Sequence, residues 1–242
     1  MKIKNRWNLF LFWVLFLILE EGIFSCFVFG SLRLSFVYTA FFSICFAAIF
    51  YLLSNLGNKT LNHVMTYVLL VFFTIFYLAQ FVYNQVYFSV ISVYSMLHGG
   101  GQILQFMGQI IDVIVRNWYV IALLILPLII FVILDICHFF DFRKVSWKAK
   151  LSVLVGSVFL HLLLVGSFFL IPDTTIYSNK RLYFDTHAPL LTADHMGLLT
   201  MMRLDIQRSI FGMEEKELTL EEPEEEVDLP IEKEEEYNIL EI

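Results

Sequence analysis

Two adjacent carboxylates, Glu20 and Glu21, interrupt an otherwise apolar run near the start of the chain. An ionised carboxyl in hydrocarbon costs about 3 kcal/mol even on lenient scales, so the pair must be protonated, paired or turned toward other polar groups. With Arg33 as candidate counter-ion, it reads as a polar site reached from one side of a membrane. It reads equally as a packing contact or as part of a wet crevice between helices. His161 stands alone in a later apolar run. A neutral imidazole bonded across a helix interface is the cheapest state there, and a single histidine makes no proton relay. The run Gly99, Gly100, Gly101 precedes Gln102 and, further on, Arg116. Glycines opening a helix expose backbone N–H groups that suit an anion such as a lipid phosphate, or they serve as a hinge. These five residues are the expected lipid-headgroup contacts. Cys26, Cys45 and Cys137 have neither metal-ligand spacing nor a disulfide pattern and read as small apolar core residues. Neither a catalytic set nor a metal site is expected.

These residues sit in a chain of 242 residues that is 59% hydrophobic and 16% charged, with a mean hydropathy of +0.74. That balance excludes a soluble globular domain, and 26 Phe with 11 Tyr exclude a disordered or collagen-like chain. The net charge of −7 belongs to the end of the chain. Residues 1–212 carry 14 Lys and Arg against 9 Asp and Glu, and residues 213–242 carry 2 against 14. No basic cluster resembles a nucleic-acid footprint.

A bilayer core about 30 Å thick takes roughly 20 apolar helical residues to cross. Five runs qualify, over 7–29, 35–53, 63–83, 118–136 and 151–171. The first follows a basic start but lacks a cleavage pattern and is read as a signal anchor. Pro127 lies midway along the fourth and is expected to kink it. An N-terminus inside the cell puts Lys2, Lys4, Arg6, Lys59, Arg143, Lys144, Lys148 and Lys150 on the cytoplasmic side, against Arg33 and Arg116 outside. The positive-inside rule favours that orientation, which sends everything from Asp173 onward out of the cell.

The outer segments carry two helical signals. Ile103, Leu104, Met107, Ile110, Ile111 and Ile114 make an apolar stripe opposite Gln102, Gln105, Gln109, Asp112 and Arg116, as in a helix lying in the outer interface. A second helix is expected over about 193–210, with Thr192 as N-cap, Gly212 as its end, an apolar side of Leu199, Met202, Ile206 and Ile210, and a polar side of Arg203, Asp205, Gln207 and Arg208. From residue 213 the composition is that of a solvated acidic linker. The expected fold is an all-α membrane protein: a five-helix domain over 1–172, a juxtamembrane helical collar over 173–212 and a flexible acidic tail over 213–242.

The order of five spans, the segment YSMLHGGGQILQF (residues 94–106), the stretch MGLLTMMRLDIQRSIFG (residues 196–212), the acidic tail and the terminal EYNILEI resembles the lipoteichoic acid synthase family. Its members are membrane-anchored enzymes of the alkaline phosphatase and sulfatase superfamily in Gram-positive bacteria. The similarity spans this chain but only the family's N-terminal half. It implies a phosphoglycerol transferase that takes the headgroup of phosphatidylglycerol outside the cell. It also implies an extracellular catalytic domain, in cis or in trans, with a threonine nucleophile and manganese or another divalent metal. No position here matches the nucleophile or metal-ligand motifs, so no catalytic residue carries over, no cofactor is expected in this chain, and alone it is expected to be inactive. Two other readings stand beside this one: a small transporter or channel using Glu20, Glu21 and His161, and a noncatalytic adaptor that recruits a partner through its acidic tail.

Overall fold

The computed structural model describes residues 7–93, 96, 106–143, 145–170 and 177–212. Regular structure among them is helical: α1 (Trp7–Val28), α2 (Phe36–Leu53), α3 (Lys59–Tyr87), α4 (Met107–Arg116), α5 (Trp118–Ile136), α6 (Trp147–Ser167), α7 (Asn179–Phe184), α8 (Pro189–Met196) and α9 (Leu198–Phe211). Five of these, α1, α2, α3, α5 and α6, are long and apolar enough to cross a membrane. The chain is a multi-pass helical membrane protein.

Local chemistry sets the helix ends. Asn58 caps α3 by accepting the Leu61 N–H, and Ser146 caps α6 by accepting the Ala149 N–H. These caps start both helices four residues before the apolar runs at 63 and 151. At its other end α3 runs past residue 83 because the chain folds back to satisfy its polar face. The Gln80 side chain donates to the Ile91 carbonyl at 3.2 Å and accepts the Ile91 N–H at 2.8 Å. Asn84 donates to the Ser89 carbonyl at 3.2 Å. Pro127 sits inside α5 and is buried.

α1 is the centre of the bundle and packs on α2, α3 and α5. Trp13, Phe16 and Leu17 are fully enclosed, and Phe12 meets Phe131 and Phe140 with ring centroids 5.0 and 5.5 Å apart. α6 leans on α2 through small residues. Ser157 donates to the Cys45 carbonyl at 3.2 Å while the Cys45 thiol points back to the Ser157 carbonyl at 3.6 Å, a pairing that replaces lost water in an apolar surround. Cys45 is thus a core residue, whereas Cys26 and Cys137 are exposed. The expectation that all three are buried fails because Cys26 lies on an outward face of α1 and Cys137 follows the last residue of α5. Large apolar side chains such as Leu15, Phe72, Ile129 and Phe159 are likewise exposed on the spanning helices, as hydrocarbon-facing positions require.

α7, α8 and α9 pack together at the end of the bundle where α1 finishes and α2 begins, here called the collar end. The single helix expected over 193–210 is two helices. Gly197, at φ +88°, separates α8 from α9, and Thr192 lies within α8, where its hydroxyl donates to the Ala188 carbonyl at 2.9 Å instead of capping. The burial pattern also differs. Leu198, Met201, Leu204 and Asp205 face the protein, while Ile206 and Ile210 are exposed. A spacing of three or four residues defines a face but not which neighbour covers it. α4 contains no buried residue. Ile111, Ile114 and Val115 are exposed on it, and Arg116 pairs with Asp112 at 2.7 Å.

Candidate functional site

The collar is fastened to the bundle through α1. Both oxygens of the Glu21 carboxyl accept hydrogen bonds: Oε2 from the Leu198 N–H at 3.0 Å, Oε1 from the Leu199 N–H at 3.1 Å and from the Tyr77 hydroxyl at 3.0 Å. The first N–H groups of a helix lack intrahelical acceptors and carry the positive end of its dipole, so an acceptor placed there is favourable twice over. Gly197 makes the approach possible. A Cβ on it would lie 2.7 Å from the Thr39 methyl and 3.0 Å from the Glu21 carboxyl carbon, at a φ that side-chain-bearing residues avoid.

Glu20, one position earlier, is 0% exposed, and neither of its oxygens has a hydrogen-bond partner. Adjacent helical residues point about 100° apart, so the two carboxyls reach different neighbours. Arg33, the counter-ion expected for this pair, instead forms an ion pair with Asp194 of α8. Ser35 donates to the Asp194 backbone carbonyl at 3.2 Å. Two contacts from the segment joining α1 to α2 therefore hold α8 beside the point where Glu21 holds α9.

His161 belongs to a separate cluster. Its Nε2 lies 3.0 Å from the Tyr183 hydroxyl, and its ring packs on Phe42 with centroids 5.5 Å apart. Arg203 donates to the same hydroxyl at 2.7 Å and lies over the Tyr183 ring, 5.1 Å from its centroid. Burial pushes the Tyr183 hydroxyl up from the ordinary phenol range, and the Arg203 charge opposes that shift. Asp205 accepts the Val93 N–H at 2.5 Å and faces His187 at 3.8 Å. Among the described residues the hydrogen bonds of His161 and of Glu21 have no partner in common.

No protein-family model, curated protein or solved structure matches the chain.

Gly99, Gly100, Gly101 and Gln102 lie outside the described residues, as does the acidic tail over 213–242; Arg116 is described and is engaged by Asp112. Among the described residues no group of three or more His, Cys, Asp or Glu is placed to hold a metal ion.

Sequence reasoning missed Tyr77, Asp194, Gly197 and Tyr183 as partners of the residues it singled out. Gly197 carried a local signal, being a glycine inside an apolar helical pattern. The other three meet their partners from distant parts of the chain. At the opposite end of the bundle Asp135 accepts the Tyr67 hydroxyl at 2.8 Å and lies 2.7 Å from His63 Nε2, another cluster assembled across helices.

Proposed function

We propose that this chain is the membrane domain of a phosphoglycerol transferase of the lipoteichoic acid synthase type, working on phosphatidylglycerol at the outer face of a Gram-positive cell membrane. The observation that carries this reading is the fastening of the collar. The stretch over residues 196–212, which bears much of the resemblance, is tied to α1 by Glu21 and to the α1–α2 segment by Arg33. In this reading whatever follows Gly212 departs from a fixed position relative to the bundle. An extracellular catalytic domain, in cis or in trans, gains effective concentration toward lipid headgroups from such a mount, with the acidic segment setting its reach. In this reading the N-terminus is cytoplasmic and the collar end extracellular, as the distribution of Lys and Arg favours. Segment 99–102 with Arg116 is proposed to meet the headgroup, and the divalent metal belongs to the catalytic domain.

The test is depletion of the protein in the cells that make it. Loss of glycerol-phosphate polymer from the envelope is the expected result, with protease removing the acidic segment from intact protoplasts. Unchanged polymer, or a segment digested only in inverted vesicles, overturns the proposal.

A further inference from the structure

The collar meets the bundle well below the helix ends that surround it. α1 has 22 residues and α6 has 21, so at about 1.5 Å per residue each fills a hydrocarbon core about 30 Å thick from one boundary to the other. Glu21, which holds the first N–H groups of α9, stands seven residues before the end of α1, about 10 Å inside that boundary. His161, which meets the Tyr183 hydroxyl of α7, stands six residues before the end of α6, about 9 Å inside it. Phe42, whose ring stacks on that of Tyr183 with centroids 6.4 Å apart, is six residues into α2, again about 9 Å. Three spanning helices thus give one depth for the inner parts of α7 and α9. The polar contacts lie higher: Arg33 and Ser35, between α1 and α2, hold Asp194, and His195 beside it meets Asn179, the first residue of α7.

The polarity of α9 agrees with that depth. A helix at a protein's aqueous surface turns its charged residues outward. On α9 they turn inward. Arg203 donates to the Tyr183 hydroxyl at 2.7 Å, Asp205 accepts the Val93 N–H at 2.5 Å, and Arg208 donates to the Leu182 and Tyr183 carbonyls at 2.8 and 3.2 Å. The Ser209 hydroxyl donates to the Asp205 carbonyl at 2.8 Å. Facing out are Ile206, Ile210 and Phe211, which are 44%, 69% and 82% exposed. Gln207, the polar residue among them, accepts from Arg203 at 3.2 Å. Hydrocarbon imposes this arrangement, because a polar group there must find its partner within the protein while an apolar side chain needs no cover.

We propose that α9, with the inner ends of α7 and α8, is sunk into the collar-side leaflet, and that acyl chains of the bilayer cover Ile206, Ile210 and Phe211. The proposal needs the five spans but not the transferase reading, and its test involves no polymer synthesis, so either can fail alone. The full chain with Cys26→Ser and Cys137→Ser is reconstituted into phosphatidylcholine vesicles, where Cys45 is buried and stays unlabelled. Nitroxide labels at Ile206→Cys and at Ile210→Cys are compared with one at Leu34→Cys, between α1 and α2, and one at Val158→Cys, near the middle of α6. Collisions with oxygen, which concentrates in hydrocarbon, and with a water-soluble nickel complex are read by power saturation. The oxygen-to-nickel ratio at Ile206 and Ile210 is expected to exceed that at Leu34 several-fold, toward the value at Val158. A ratio equal to that at Leu34 places α9 in water and overturns the proposal. Labels shielded from both reagents also overturn it, since protein rather than lipid then covers the face. The unmodified chain gives an independent reading. Photolysed in vesicles whose phospholipid carries a diazirine midway along an acyl chain, it should take label on residues 206–211, and label confined to the five spanning helices overturns the proposal.

Discussion

Glu21 of α1 and Leu198 of α9 are 177 positions apart in the chain and meet at 3.0 Å, carboxyl oxygen to backbone N–H. With the Leu199 N–H and the Tyr77 hydroxyl on the same carboxyl, the contact joins three helices at a single buried side chain.

Glu21→Ala leaves three buried donors without an acceptor, each costing about 1 to 3 kcal/mol. The collar should loosen by several kcal/mol, visible as a lower thermal midpoint in detergent and as new protease cleavage between α8 and α9. Glu21→Gln keeps one acceptor oxygen and should lose roughly half as much. Equal midpoints for wild type and Glu21→Ala would show that the collar is held by packing alone.

Glu20 offers the opposite case. It is buried with no hydrogen bond to lose, so replacement by an apolar residue of similar volume removes a desolvation cost. Glu20→Leu is expected to match or exceed the wild-type thermal midpoint. A drop of the size seen for Glu21→Ala would assign Glu20 a partner that holds the bundle together.

Gly197→Ala combines a positive φ with a Cβ driven against Thr39 and Glu21. A strained backbone of this sort costs about 1 to 3 kcal/mol before the steric clash is counted. Hydrogen exchange at the first turn of α9 should accelerate strongly, while exchange in the middle of α5, remote from the collar, stays at its wild-type rate. The same substitution with Thr39→Ser, which removes the obstructing methyl, should recover part of the loss.

His195 confers a pH dependence on the collar. Its Nδ1 lies 2.7 Å from the Asn179 side-chain oxygen, and burial lowers its pKa, with Asp194 pulling the other way and Arg33 adding to the lowering. A histidine more easily protonated when unfolded than when folded contributes its full stability above the ordinary histidine value, near 6.5, and loses it as pH falls through the lower folded value. Collar stability measured by proteolysis should therefore decline on acidification below about pH 6.5. In His195→Asn this decline should be smaller. An identical pH profile in the variant would remove His195 as its source.

The five spans, the presence of helices at residues 107–116 and near 200, and the polar breaks between spans were legible in the sequence because each is a local property. Hydrocarbon demands long apolar runs, and amphipathic helices repeat every three or four residues. Helix ends were less legible wherever a cap or a returning loop extended the apolar run, as at Asn58, Ser146 and Gln80. Glu20 and Glu21 could be recognised as costly residues that need an answer, but two neighbouring carboxyls of the same type received different ones. Glu21 meets the open end of a helix and Glu20 meets no polar partner, because the helical turn between them sends one toward α9 and α3 while the other stays enclosed. Only the tertiary structure decided that, and it also decided that Arg33 belongs to Asp194 and that Leu199 is covered while Ile206 faces outward. A residue's type sets what its environment must supply, whereas the supplier comes from residues far off in the chain, chosen by how the helices pack.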